Sequence, residues 1–303
     1  MKQLFFFLSF VMLPLTGSAV NVYVRDEGSL QQIMESQYPD VLKHDHSLTI
    51  RGHLNVDDIN FLRSKMVNDS IDWIEELDLR ETQYTFPTGS EGNNIWRLSD
   101  FSLYFSTLGF RHHEFFGEGW HYDKENTLRS YMFYQCNRLR RLVLPFTVRG
   151  LGCLCVAYCE NLEQLEFSYN HLGSLEFPYC FGIQEIRPLA VYHCPKLKEV
   201  TLPYFMKTVG SMAFSECDAL ERVYIKNDVC PPAYGYNCFP HPEKMQLVVV
   251  TDKDAGTMYA DAPGWDQFGS ITTMTTNDYQ AISNSTKPKQ SEEPHIWEKR
   301  VTK

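Results

Sequence analysis

This chain lacks a block of basic residues, and beyond its first few residues it lacks any apolar run long enough to span a membrane. Acidic residues outnumber basic ones by 38 to 28, and the formal net charge is -10. Nucleic acid and anionic membrane surfaces are therefore poor partners. One local basic cluster occurs, at Arg138, Arg140 and Arg141, where a solvated edge is the expected role. Also missing are a glycine loop that could cradle phosphate and the HExxH arrangement of zinc hydrolases. Adjacent carboxylates do occur, at Asp57-Asp58, Glu75-Glu76 and Glu292-Glu293. Side chains on neighbouring residues diverge on an ordinary backbone, so capping or solvation is expected of them rather than acid-base work. The densest titratable cluster is Arg111-His112-His113-Glu114 with His121 and Asp123. A metal would need His112, His113 and His121 to converge on one ion, whereas adjacent histidines on an extended segment point to opposite faces. An exposed polar loop is the preferred reading there, and a metal-dependent hydrolase is the weakest alternative. No catalytic residue and no cofactor is expected.

What the chain does have is a phrase that returns. It reads MFYQCNRLRRLVLP from Met132, CVAYCENLEQLEF from Cys155, AVYHCPKLKEVTLP from Ala190 and AFSECDALERVYI from Ala213. Each copy holds a small or apolar pair, a cysteine, a leucine three residues later, and an apolar-x-apolar run. The cysteines of the phrase, Cys136, Cys159, Cys194 and Cys217, are separated by 23, 35 and 23 residues. That period fits a solenoid with one short strand per coil, in which stacking covers the apolar face that a lone coil would expose. The fold class expected is an α/β solenoid of coils of about 23 residues, with short stacked parallel strands. The longer step holds an additional LEF at Leu175 to Phe177, an extra turn or a bulge.

Nine cysteines, an odd number, do not read as a disulfide framework when four share one slot of a repeat. Cys136, Cys159, Cys194 and Cys217 are expected to form a structural ladder of buried thiols. Cys153, Cys155 and Cys180 lie near the same core, and Cys230 with Cys238 is the best local disulfide candidate, with two free thiols as the alternative.

Residues 1-19 carry Lys2, an apolar run and the small-x-small ending of a secretory signal peptide, and export is expected. Residues 20-79 form an N-terminal segment and cap, with a short helix from Ser29, a strand at LTIRGHL and a helix at NVDDINFLRSKM whose first amides Asn55 or Asp57 can satisfy. Residues 80-130 interrupt the rhythm with an aromatic-rich insertion, 131-227 hold the regular repeats, and 228-273 form a mixed C-terminal cap covered by Trp265 and Phe268. Residues 274-303 are polar and read as a flexible tail.

Val209-Gly210, Ala213-Phe214, Cys217, Leu220 and Val223, with Leu197, Val200, Leu202 and Pro203 before them, make the chain resemble the BspA-like leucine-rich-repeat family. LTIRGHLNVDDINFLR and the closing LVVVTDKDAGTMYADAPGWDQFGSI extend the resemblance over about residues 47 to 272. Cys155-Val156 replaces the usual Ala-Phe, and Val191 replaces a phenylalanine. The resemblance implies a leucine-rich-repeat solenoid, of a kind found among exported and surface proteins of anaerobic bacteria, with adhesion or host-protein or glycan contact in some members. It implies no catalytic residues. The leading expectation is an exported binding protein for an extracellular protein or glycan, with Phe115, Phe116, Trp120 and Tyr122 of the insertion as anchors. A structural component of a secreted or envelope assembly is the alternative.

Overall fold

The computed structural model describes residues 20-67, 72-85, 127-167, 182-253 and 256-285. The expected leader, Cys180, Leu175 to Phe177 and almost all of the aromatic insertion lie outside the described residues. What is described forms a parallel solenoid with two sheets along its length.

The longer sheet has nine strands, ordered β1 (Val20–Val24), β2 (Ser47–Leu54), β3 (Glu76–Tyr84), β5 (Arg141–Leu144), β7 (Gln164–Phe167), β9 (Glu199–Leu202), β11 (Arg222–Ile225), β13 (Gln246–Val250) and β14 (Ser270–Met274). The shorter sheet has five two-residue strands, β4 (Thr127–Leu128), β6 (Gly150–Leu151), β8 (Glu185–Ile186), β10 (Thr208–Val209) and β12 (Ala233–Tyr234). Among the described residues four α-helices accompany them: α1 (Leu30–Gln37), α2 (Val56–Val67), α3 (Gly256–Ala260) and α4 (Thr276–Ser285). All strand pairs are parallel, as stacked coils require. The strands β3 and β5 pair directly, and so do β7 and β9.

Each coil runs from a long-sheet strand through a turn into a short-sheet strand, then through the cysteine phrase back to the long sheet. The apolar-x-apolar run turns its two apolar residues inward, so Leu142, Leu165, Val200, Val223 and Leu247 stack in one buried column. After the short strand the chain comes very close to the previous coil. A Cβ on Gly210 would lie 2.5 Å from the Pro188 backbone nitrogen, which is why glycine follows Val209.

The cysteine phrase is not strand, yet it is bonded from coil to coil. Phe133, Val156 and Val191 donate their amides to the carbonyls of Cys155, Ala190 and Ala213 at 2.7, 2.8 and 2.8 Å. The thiols of Cys159, Cys194 and Cys217 take the neighbouring carbonyls, those of Phe133, Val156 and Val191, at 3.1, 3.3 and 3.1 Å. The slot thus uses cysteine as a small buried side chain that also donates a weak hydrogen bond. The phrase bends at two left-handed residues per coil, such as Leu154 and Tyr158 or Leu189 and His193. None of the residues at these positive-φ bends is β-branched, the class that tolerates that region worst.

At the N-terminal end, Asn55 begins α2, and its side-chain oxygen accepts from the amides of Asp57 and Asp58 at 2.9 and 3.3 Å. Asp58 is 1% exposed and accepts from the amides of Asn55, Gly28 and Leu30 at 2.9, 2.7 and 2.9 Å. One buried carboxylate therefore closes the capping box of α2 and satisfies the start of α1. Ser29, the residue expected to cap α1, turns its hydroxyl to the Asp26 carbonyl instead. Arg63 of α2 donates to the carbonyls of Tyr131 and Met132 at 2.9 and 2.8 Å and ties this end to the first cysteine phrase.

At the other end Trp265, Tyr259, Phe239 and Phe268 pack as one aromatic cluster. The Trp265 indole donates to Pro232 O at 2.8 Å and the Tyr259 hydroxyl to Asn227 O at 2.6 Å. The segment from residue 274, expected to be a flexible tail, departs from that expectation over its described part. Met274 closes β14 and residues 276-285 form α4. Thr275 and Asp278 supply the reason, a local capping box in which Asp278 N reaches Thr275 Oγ1 at 3.1 Å and Thr275 Oγ1 reaches Asp278 Oδ2 at 2.7 Å.

Candidate interaction surface

The strand residues that alternate with the inward column line up on the outer face of the long sheet, where Val143, Tyr224 and Val248 are themselves covered. One row is Glu76, Arg141, Gln164, Glu199, Arg222 and Gln246, in register from strand to strand. The next is Asp78, Val143, Glu166, Thr201, Tyr224 and Val248. The first row holds carboxylates, guanidiniums and amides; the second passes from acidic to apolar and aromatic toward the C-terminal end.

These side chains orient one another. Arg141 binds Glu166 through Nη2 at 2.7 Å and Nε at 3.0 Å, a fork on one carboxylate oxygen. Arg80 reaches Asp78 at 3.2 Å and Glu166 at 3.7 Å. Further along, Arg222 pairs with Glu199 and donates to Gln246 Oε1 at 3.2 Å, and Gln246 donates to Thr272 Oγ1 at 3.1 Å. Ion pairs at solvent-facing positions contribute only about 0–1 kcal/mol each. The network fixes side-chain direction more than it fixes the fold, and that is the property a recognition surface needs.

The arginine cluster is divided by this geometry. Arg140 is exposed and meets Glu163 at 3.0 Å, and the Arg138 guanidinium lies 5.3 Å from the Trp73 ring centroid. Arg141 is only 8% exposed, so the solvated edge expected for all three does not extend to it. Its slot in the strand alternation points it into the outer row, where Glu166 neutralises it.

A second surface runs along the cysteine-phrase edge, where Tyr131, Tyr134, Tyr158 and Tyr192 follow one another with ring centroids 5.3 to 5.8 Å apart. His193 sits between Glu216 at 2.7 Å and Glu160 at 3.4 Å, and the Tyr192 hydroxyl also bonds Glu216. These groups are largely spent on each other, so this ridge is the weaker candidate.

Phe115, Phe116, Trp120 and Tyr122, proposed from the sequence as anchors, lie outside the described residues, as do His112, His113 and His121. Among the described residues, no group of three or more histidine, cysteine or carboxylate side chains is arranged to hold a metal ion. Cys230 and Cys238 are both free thiols, the first exposed and the second buried. Burial pushes the Cys136 and Cys194 thiols well above their ordinary range and the Cys238 thiol up to about 12. Such thiols stay protonated at neutral pH and are poor nucleophiles or metal ligands. The outer rows went unremarked in the sequence, although their signal is simple. They are the middle residue of each apolar-x-apolar run and the residue just before it.

A stacked parallel solenoid whose inward positions build the core and whose outward rows carry ordered charge and tyrosine is a leucine-rich-repeat scaffold. Residues 126–253 match the BspA type leucine rich repeat region in 6 copies, and this repeat region of the chain belongs to that family. The family assignment agrees with the resemblance carried by Ala213-Phe214, Cys217 and Leu220. No curated protein matches the chain. No helix among the described residues is long and apolar enough to cross a membrane.

Proposed function

We propose that this chain is an exported leucine-rich-repeat binding protein that recognises an extracellular protein or glycan. Contact is made by the outer face of the long sheet together with the aromatic insertion. The observation that carries the reading is the pair of outward rows. Gln164, Glu199, Arg222 and Gln246 stand in register and half-exposed, beside the equally half-exposed Glu166 and Thr201, while the inward column builds the main core. Arginine and tyrosine at the centre of a rigid surface are the side chains that most often dominate partner affinity. Lys2 and the apolar run before Ala19 support export, and Phe115, Phe116, Trp120 and Tyr122 would extend the contact area beyond the sheet.

The test is a screen of the secreted-length chain against immobilised extracellular matrix proteins and a glycan array. The hit is then measured with Trp120→Ala, Tyr122→Ala and Arg222→Ala. Each substitution is expected to weaken binding by about ten-fold or more, since anchor residues cost above about 1.4 kcal/mol when truncated. Affinity unchanged by all three would remove both proposed contact regions. Light scattering on the same sample separates this reading from a self-assembling envelope component, which would show a persistent oligomer.

A further inference from the structure

The outer face of the long sheet carries one side chain from far along the chain. Tyr279, in the middle of α4, places its hydroxyl 2.8 Å from the Thr201 hydroxyl and its ring edge-on to Tyr224 at a centroid distance of 5.2 Å. The Lys226 ammonium lies 4.4 Å from the Tyr279 ring centroid, within cation–π range. Val248 and Val250 form the apolar floor with Tyr224, and Met274 packs beside them. Hydroxyl partner, aromatic wall, cation and aliphatic floor together match each part of a tyrosine side chain.

The helix that delivers this tyrosine is held lightly. Its start is pinned by the Thr275–Asp278 box and by Thr276 N donating to Asp252 Oδ1 at 3.0 Å. Past that start, Tyr279 contacts the sheet, Ile282 is 40% exposed, and no α4 residue whose side chain is described is buried. A helix of 10 residues is marginal without tertiary support, so losing the Tyr279 contact would release most of it.

We propose that Thr201, Tyr224 and Lys226 form a tyrosine-binding subsite on the outer face and that Tyr279 fills it in cis. A partner protein docks by presenting a tyrosine on a short helix and displacing α4. The inference rests on the reading of this face as the partner-binding surface, and it adds the chemistry of one anchor and a strap that competes with it.

The experiment needs no knowledge of the natural partner. The full chain with Tyr279→Ala is titrated with a synthetic peptide spanning residues 275-285, TTNDYQAISNS, while the methyl resonances of Val248 and Val250 are followed by NMR. A strap on a short tether experiences an effective concentration of order 1–10 mM, so saturable shifts with a Kd of about 0.1–1 mM are expected. The wild-type chain, with its subsite occupied, is expected to bind the peptide about ten-fold more weakly. Adding Lys226→Ala to the Tyr279→Ala chain, or replacing the tyrosine of the peptide by alanine, is expected to abolish the shifts. Equal binding to wild-type and Tyr279→Ala chains, or equal binding of the peptide without tyrosine, overturns the proposal. Hydrogen exchange on the wild-type chain gives a second reading without any variant. The α4 amides should exchange about a hundred-fold faster than those of β11 and β13, and equal protection would rule out a displaceable strap. Failure of either measurement leaves the extracellular binding screen unaffected, so the subsite and the wider function fail separately.

Discussion

The cysteine-phrase edge and the outer face of the long sheet belong to the same coils, yet they answer to opposite demands. Along the edge, Cys159, Cys194 and Cys217 occupy one slot and each thiol meets the equivalent carbonyl of the preceding coil. A change there leaves a polar atom or a void inside the stack. Across the face, the slot equivalent to Glu199 holds arginine at 141 and 222 and glutamine at 164 and 246. Water reaches the side chains at 164, 199, 222 and 246, which are interchangeable as far as folding goes, whereas Arg141 is buried against Glu166. The edge therefore sets how coils stack, and the face is left open to be set by a partner.

That contrast can be tested from its steepest side first. Gly210→Ala drives a Cβ to 2.5 Å from the Pro188 backbone, an obstacle that no rotamer relieves. It should lower unfolding free energy by about 3 kcal/mol in urea titrations. A loss near zero would mean that the coil spacing adjusts freely. Cys194→Ala removes a buried donor and leaves the Val156 carbonyl unpaired, with an expected cost of about 2 kcal/mol. Cys194→Ser should recover part of that loss, because the hydroxyl restores a donor in nearly the same volume; the Ala–Ser difference measures the hydrogen bond against the packing.

The buried thiols also predict a pH dependence whose sign is definite. Their folded pKa values are raised, so only below about pH 8 are they protonated in folded and unfolded chains alike. Above that, the unfolded chain releases protons that the folded chain retains, and stability falls as pH rises. Thermal melts from pH 7 to 10 should show this decline, with a shallower slope for Cys194→Ala. On the outer face, Arg222→Ala should change stability by no more than about 0.5 kcal/mol and leave the alkaline slope unaltered. An Arg222→Ala chain as unstable as Cys194→Ala would erase the distinction between edge and face.

Much of this architecture could be read from the residues. The leucines at 139, 162, 197 and 220 and the apolar-x-apolar runs announce both the coil and its inward column, because strand alternation and a fixed period leave few alternatives. The polarity of residues 274-285 concealed α4, since its capping box is local but its anchor, Thr201, is 78 residues away. Asp58 looked like one of an ordinary acidic pair; its three amide partners come from two segments about thirty residues apart in sequence. Arg140 and Arg141 are neighbours of identical type, and only the outward turn of β5 toward Glu166 tells them apart.

The amino-acid sequence alone determined the period of the coils, the inward face of each strand and the slot in which a small thiol is buried, because these follow from spacing along the chain. Which outward side chains stand together was decided by the tertiary structure. Arg222 meets Glu199 and Tyr279 reaches Tyr224 only when strands stack in one register and the last helix folds back over them. Contacts between distant segments depend on that register, and no local pattern encodes it.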